Sequence, residues 1–193
     1  TRLEDIEGKL SAMQVPTSDG STDRENQTQA LKEEARKATL IANDSEQYIR
    51  RKNLRIRGID ANSQQDCRTA VMEFVRGKLH IHLDPDDIEV AHPLPQRPTQ
   101  PAAAKQDPVV IVRFWKREVR DKILRSRRTL KGTNYAISED LTALNTQTMN
   151  RIRNSDHVSK TWSWNGKLYA LLHSGQKIMV RPFQSITDCL PLN

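Results

Sequence analysis

Between Arg50 and Ile59 the chain changes period. Upstream, apolar residues fall at helical spacing. From Asn53 onward they alternate, with Leu54, Ile56 and the turn residue Gly58 on one parity and Arg55 and Arg57 on the other. A period of two with apolar residues on one side is a strand with a buried face and a cationic face. A helix that runs straight into such a strand suggests an oligomerising stalk feeding an anion-binding domain. The alternative is an edge strand whose arginines are merely solvated.

Charge is distributed in the same sense. Residues 1–50 hold 7 Lys+Arg against 10 Asp+Glu, a net of −3. The whole chain carries 31 basic and 24 acidic residues, so the remainder has a net of +10. A basic body behind a mildly acidic leader points to a polyanion, most commonly nucleic acid. No basic helix shows the large aromatic and aliphatic face that membrane-surface binding needs, and no apolar run approaches the ~20 residues of a membrane span. Cys67 and Cys189 alone make no disulfide framework and suggest a reducing compartment. The chain begins at Thr1 inside a heptad pattern, so it is expected to be a fragment of a longer protein.

Leu3, Ile6, Leu10 and Met13 form the a/d seam of two heptads. The stretch Val15–Ser21, with Pro16 and Gly20, breaks that helix. From about Asp23 a second helix carries Leu31, Ala35, Ala38, Ala42, Ser45 and Ile49 at 4-3-4-3-4 spacing. Alanine and serine bury little apolar area, so this seam is weak. It reads as a coiled coil, or else as a lone solvated helix. After the strand and a turn at Asp60–Ser63, Cys67, Val71, Phe74 and Val75 mark one buried helix face. Asp84–Asp87 is a turn, Ile88–Ala91 a short strand, and residues 93–108, with five prolines, a loop. Val109–Phe114 is a β-branched strand, Trp115–Leu130 a helix with Val119, Ile123 and Leu130 inward, and Asn134–Ile137 a fourth strand. The order β-α-β-β-α-β is the ferredoxin-like, RNA-recognition-motif arrangement. Asp140 or Thr142 can cap a helix running to about Lys160. Trp162–Trp164, the primed turn Asn165-Gly166, Lys167–His173 and Gln176–Arg181 then make three short strands. The expected fold is α+β in three parts: a coiled-coil helix (1–51), an RNA-recognition-motif-type domain (52–138) and a small α+β domain (139–193).

By parity Arg55, Arg57 and Arg113 share the open face of the central sheet. Val109, Ile111 and Arg55 stand where RNA-recognition motifs carry base-stacking aromatics. Three guanidinium groups on a flat sheet suit phosphates, which accept bidentate pairs. Three independently solvated arginines are the alternative. Residues 116–131 add eight basic side chains, Lys122, Arg125 and Arg128 among them, against Glu118 and Asp121. His80, His82, Asp84, Asp86, Asp87 and Glu89 invite a metal reading, but no Cys or His cluster completes a ligand set. Their carboxylates suit turns and caps. Neither cysteine has a nucleophile's surroundings, and no Gly-rich phosphate loop is present.

Taken in order, Tyr48–Ile59, Ile88–His92, Val109–Phe114, Lys122–Arg125, Glu139–Thr142 and Trp162–Lys167 resemble the first open-reading-frame protein of LINE-type non-LTR retrotransposons across residues 48–181. The chain departs from the family pattern in having Pro93 after His92, where an arginine is usual, and in lacking a late Tyr-Pro-Ala segment. The resemblance implies a trimeric coiled coil, an RNA-recognition-motif-type domain and a small C-terminal domain. It implies a nucleic-acid chaperone without catalytic activity that coats its element's RNA. It also implies that Arg55, Arg113, Arg125, Arg151 and Arg153 line an RNA groove. With Arg57, Lys122, Arg128 and Lys167 these are the candidate contacts.

The expected function is therefore non-enzymatic packaging of retrotransposon RNA into a ribonucleoprotein particle. Single-stranded DNA is a second ligand, the N-terminal helix self-associates, and no cofactor or membrane is involved. The expected location is cytoplasmic particles, with the nucleus second. The competing readings are a metal-dependent nuclease or strand-transfer enzyme built on Asp84, Asp86, Asp87 and Glu89, and a coiled-coil scaffold for acidic partners.

Overall fold

The computed structural model describes residues 19–59, 66–95 and 108–187. The Leu3–Met13 heptads, the Asp60–Ser63 turn, most of the proline-rich loop and Cys189 lie outside these residues. The chain divides into two compact units, Thr1–Ala42 and Asn43–Asn193.

The first unit contributes most of helix α1 (Asp19–Arg50). Within the described residues the helix already covers Asp19–Ser21, the end of the stretch expected to break it. Residues 22–39 are all exposed, as befits a helix too polar to bury a face alone.

In the second unit, strands β1 (Asn53–Arg57), β2 (Ile88–Pro93), β3 (Val109–Phe114) and β4 (Ala136–Glu139) form an antiparallel sheet in the order β2-β3-β1-β4. Helix α2 (Cys67–Leu79) follows β1, and α3 (Arg117–Ser126) follows β3. Alternation in the strands decides the faces. Leu54, Ile56, Val110, Val112, Phe114 and Ile137 are buried with Val71, Phe74 and Val75 of α2 and Ile123 and Leu124 of α3. Both helices thus cover one face. The other shows Arg55 between Ile111 and Ser138, and Arg57 between Val109 and Ala136.

Helix α4 (Ala143–Arg153) and the sheet β5-β6-β7 (Val158–Trp164, Lys167–Leu172, Lys177–Val180) enclose a second core of Met149, Ile152, Leu168, Ala170, Leu172, Ile178 and Val180. Thr142 is the N-cap, its hydroxyl accepting from the Asn145 amide at 3.1 Å. Asn165 and Gly166 have φ of 53° and 75°, the left-handed pair that a primed hairpin turn requires.

Several boundaries differ from the sequence reading. Helix α4 ends at Arg153 rather than near Lys160, because Asn154 closes it and β-branched Val158 and Thr161 belong to a strand. Helix α3 begins after Trp115, which is exposed, and stops at Ser126; a 3-10 turn, Arg127–Leu130, completes the segment. Strand β4 is displaced two residues, to Ala136–Glu139. Glu139 is a buried strand end because Arg120 crosses the core to meet it at 2.5 Å, and both are nearly inaccessible. Arg120 is therefore no part of a solvated basic face; it is among the largest fully buried side chains. Among the described residues no helix is long and apolar enough to cross a membrane.

Candidate nucleic-acid cleft

Asp140, directly after β4, is 2 % exposed and collects cations. It accepts from Arg50 Nη1 at 3.1 and 3.2 Å and from Asn53 Nδ2 at 3.0 Å. Burial lowers the Arg50 guanidinium pKa, but Asp140 and Glu46 outweigh it and leave the group raised overall. Arg55 Nε lies 3.6 Å from the same carboxylate without a hydrogen bond. Asp140 therefore holds the root of the Arg55 guanidinium, and the side chain stays 41 % exposed.

From there the open sheet face runs into a cleft of about 490 Å³. Arg55 and Arg57 enter it from β1, Arg127 from the 3-10 turn, Arg153 and Asn150 from α4, and Trp162 from β5. Burial pushes the Arg127 guanidinium pKa down, against the pull of Glu139, which also lines the cleft; arginine remains charged at any physiological pH. Four cations around one concavity focus a positive potential that suits a polyanion.

The candidate contacts separate into groups. Arg55, Arg57 and Arg153 come together in the cleft. Arg113 shares their sheet face but stands opposite Asn53, donating from Nε to Glu89 at 3.0 Å. Arg151, two positions from Arg153 and so on another side of α4, donates to the Gln184 carbonyl at 2.7 Å. The Arg125 guanidinium lies 5.4 Å over the Trp164 ring, outside the cleft lining. Lys122, Arg128 and Lys167 are exposed and do not line it either. Arg127 and Trp162 were missed. Helical periodicity carried through to Leu130 favours Arg128, whereas the 3-10 turn brings Arg127 inward. Trp162 had a usable signal in the Trp-Ser-Trp alternation, which puts two indoles on one side of a strand.

Three of the four carboxylates of residues 84–89 have structural partners. Asp84 and Asp87 cap the 3-10 turn Pro85–Asp87 reciprocally, and Glu89 holds Arg113. Among the described residues no group of three His, Cys, Asp or Glu side chains is placed to hold a metal ion. No family model matches the sequence, and no curated protein does.

Proposed function

We propose that the chain is a single-stranded RNA-binding protein acting as a nucleic-acid chaperone, of the kind encoded by the first open reading frame of LINE-type retrotransposons, and not an enzyme. The observation that carries this reading is the cleft in which Arg55, Arg57, Arg127 and Arg153 meet. Guanidinium groups take phosphates bidentately. The sheet face beside them presents Val109 and Ile111 rather than aromatics, so affinity comes from the backbone, with little sequence preference. Weak discrimination and exchangeable ionic contacts suit a protein that coats RNA and lets it re-pair. Single-stranded DNA is a second ligand on the same grounds.

The order β2-β3-β1-β4 with both helices on one face supports reading the central sheet as an RNA-recognition-motif-type domain. Leu31 and Ile49 of the α1 seam are 61 % and 60 % exposed. That supports self-association through α1, as a trimer, and hence a multivalent particle in the cytoplasm or nucleus.

Salt-titrated binding of a fluorescent single-stranded RNA tests the function. Arg57→Ala and Arg153→Ala should each weaken binding alike across sequences and lower the slope of log K against log salt by about 0.7, one phosphate each. Arg117→Ala, whose guanidinium donates to Asn165 instead, should do much less. Equal losses in all three variants would mean that binding follows net charge, and the cleft would have no special role.

A further inference from the structure

Trp162, which lines the cleft, also begins an aromatic row outside the cleft lining. On the face of the β5-β6-β7 sheet away from its core, Trp162, Tyr169 and Met179 form one row across the three strands, and Lys160, Leu171 and Lys177 the next. The opposite face is spent on Leu168, Ala170, Leu172, Ile178 and Val180. The Trp162 and Tyr169 rings lie 5.7 Å apart and nearly parallel, at 14°. Lys177 Nζ stands 5.4 Å and 5.0 Å from the two ring centroids. From His157 to Thr187 the chain has no carboxylate at all, while Lys160, Lys167, Lys177 and Arg181 punctuate it. Met179 is 39 % exposed beside the rings.

A cross-strand aromatic pair can simply stabilise a hairpin. That role explains neither the lysine held over both rings nor the lack of any carboxylate in the segment that carries these lysines. We infer that this face is a base-stacking platform for single-stranded nucleic acid, which continues the cleft beyond Trp162. Trp162 belongs to both the cleft and the row, so it is the step between them. A base that lies on the rings displaces the Lys177 ammonium sideways, and the ammonium then meets that nucleotide's phosphate. Every base has a π-face, so the platform adds affinity without a sequence code. It supplies the stacking that the central sheet lacks. The inference rests on the RNA-binding reading of the cleft and lengthens its track.

The test uses the full chain and oligouridylates of two lengths, about 6 and 20 nucleotides, alongside a 20-unit abasic phosphodiester. A base stacked on an aromatic contributes about 1–3 kcal/mol, so Tyr169→Leu should weaken the 20-mer about 5-fold or more. It should leave the 6-mer and the abasic chain unchanged. Tyr169→Phe, which keeps the ring, should bind as the parent does. Lys177→Gln should weaken the 20-mer and lower its salt slope. An unaltered 20-mer affinity in Tyr169→Leu overturns the platform, as does an equal loss on the abasic chain. A polyglutamate that competes as well as the 20-mer, and is equally sensitive to Lys177→Gln, would assign the face to acidic proteins and overturn it too. The cleft is judged separately by Arg57→Ala on the 6-mer, so one failure does not imply the other.

Discussion

Two arginines of the open sheet face are shared with carboxylates of the same molecule. Arg113 donates to Glu89, with the pair 35 % and 24 % exposed, and Arg55 leans on Asp140. A phosphate that approaches Arg113 must compete with a carboxylate already in place, so the gain is smaller than for Arg57, which has no such partner among the described contacts. Glu89→Gln should free Arg113. Tighter single-stranded RNA binding and a slope of log K against log salt steeper by about 0.7 are expected. A weaker complex would instead show that the pair fixes β2 on β3. The buried pair Arg120–Glu139 follows another logic. Glu139 is neutralised by Arg120, which also meets Asp121 at 2.7 Å, so removing Arg120 alone leaves a desolvated carboxylate.

At the scale of elements, the hairpin turn sets where β5 and β6 present their side chains. Gly166 has φ of +75°, and a Cβ there would come 2.5 Å from Gln47 Cγ. Gln47 cannot move freely, because its Oε1 accepts from the Thr142 amide at 3.0 Å and its Nε2 donates to the Asp140 carbonyl at 3.0 Å. Gly166→Ala should therefore cost more than the ~1–2 kcal/mol of a left-handed alanine. Gly175→Ala, with φ of +86° and open space around it, should cost only that backbone term. Chemical denaturation of both variants checks this, and equal losses would mean that Gln47 yields without cost.

Across the whole molecule, what the sequence disclosed depended on locality. Period and parity read the first sheet correctly, since Leu54, Ile56, Val110 and Val112 are each buried by the alternation of their own strand. The primed turn was legible from two residues, because Asn-Gly needs no distant partner to adopt it. Arg120 and Glu139 were not legible. Nineteen positions apart, they share no local pattern, and only the fold brings them together. Arg127 was hidden by a change of helical pitch, and nothing local announces Glu89 as the partner of Arg113.

The last turns of α1 have a consequence for how the helix opens. Asn43 donates to Asn145 at 3.1 Å and accepts from the Thr142 hydroxyl at 2.6 Å; Gln47 and Arg50 reach Thr142, Asn145 and Asp140. These residues cannot fray without exposing the α4 cap and the Asp140 carboxylate, whereas residues 22–39 are exposed throughout. One helix therefore has two opening free energies. Deuterium uptake should show amides 44–50 exchanging with the slow strands β1 and β3 at every protein concentration. Amides 24–40 should exchange quickly in dilute solution and slow down only as chains associate. Uniform uptake along the helix would refute this division. A chain begun at Lys52, where a boundary drawn from the strand pattern would cut, would take Arg50 from the Asp140 carboxylate and remove the Asn43 and Gln47 partners of Thr142 and Asn145.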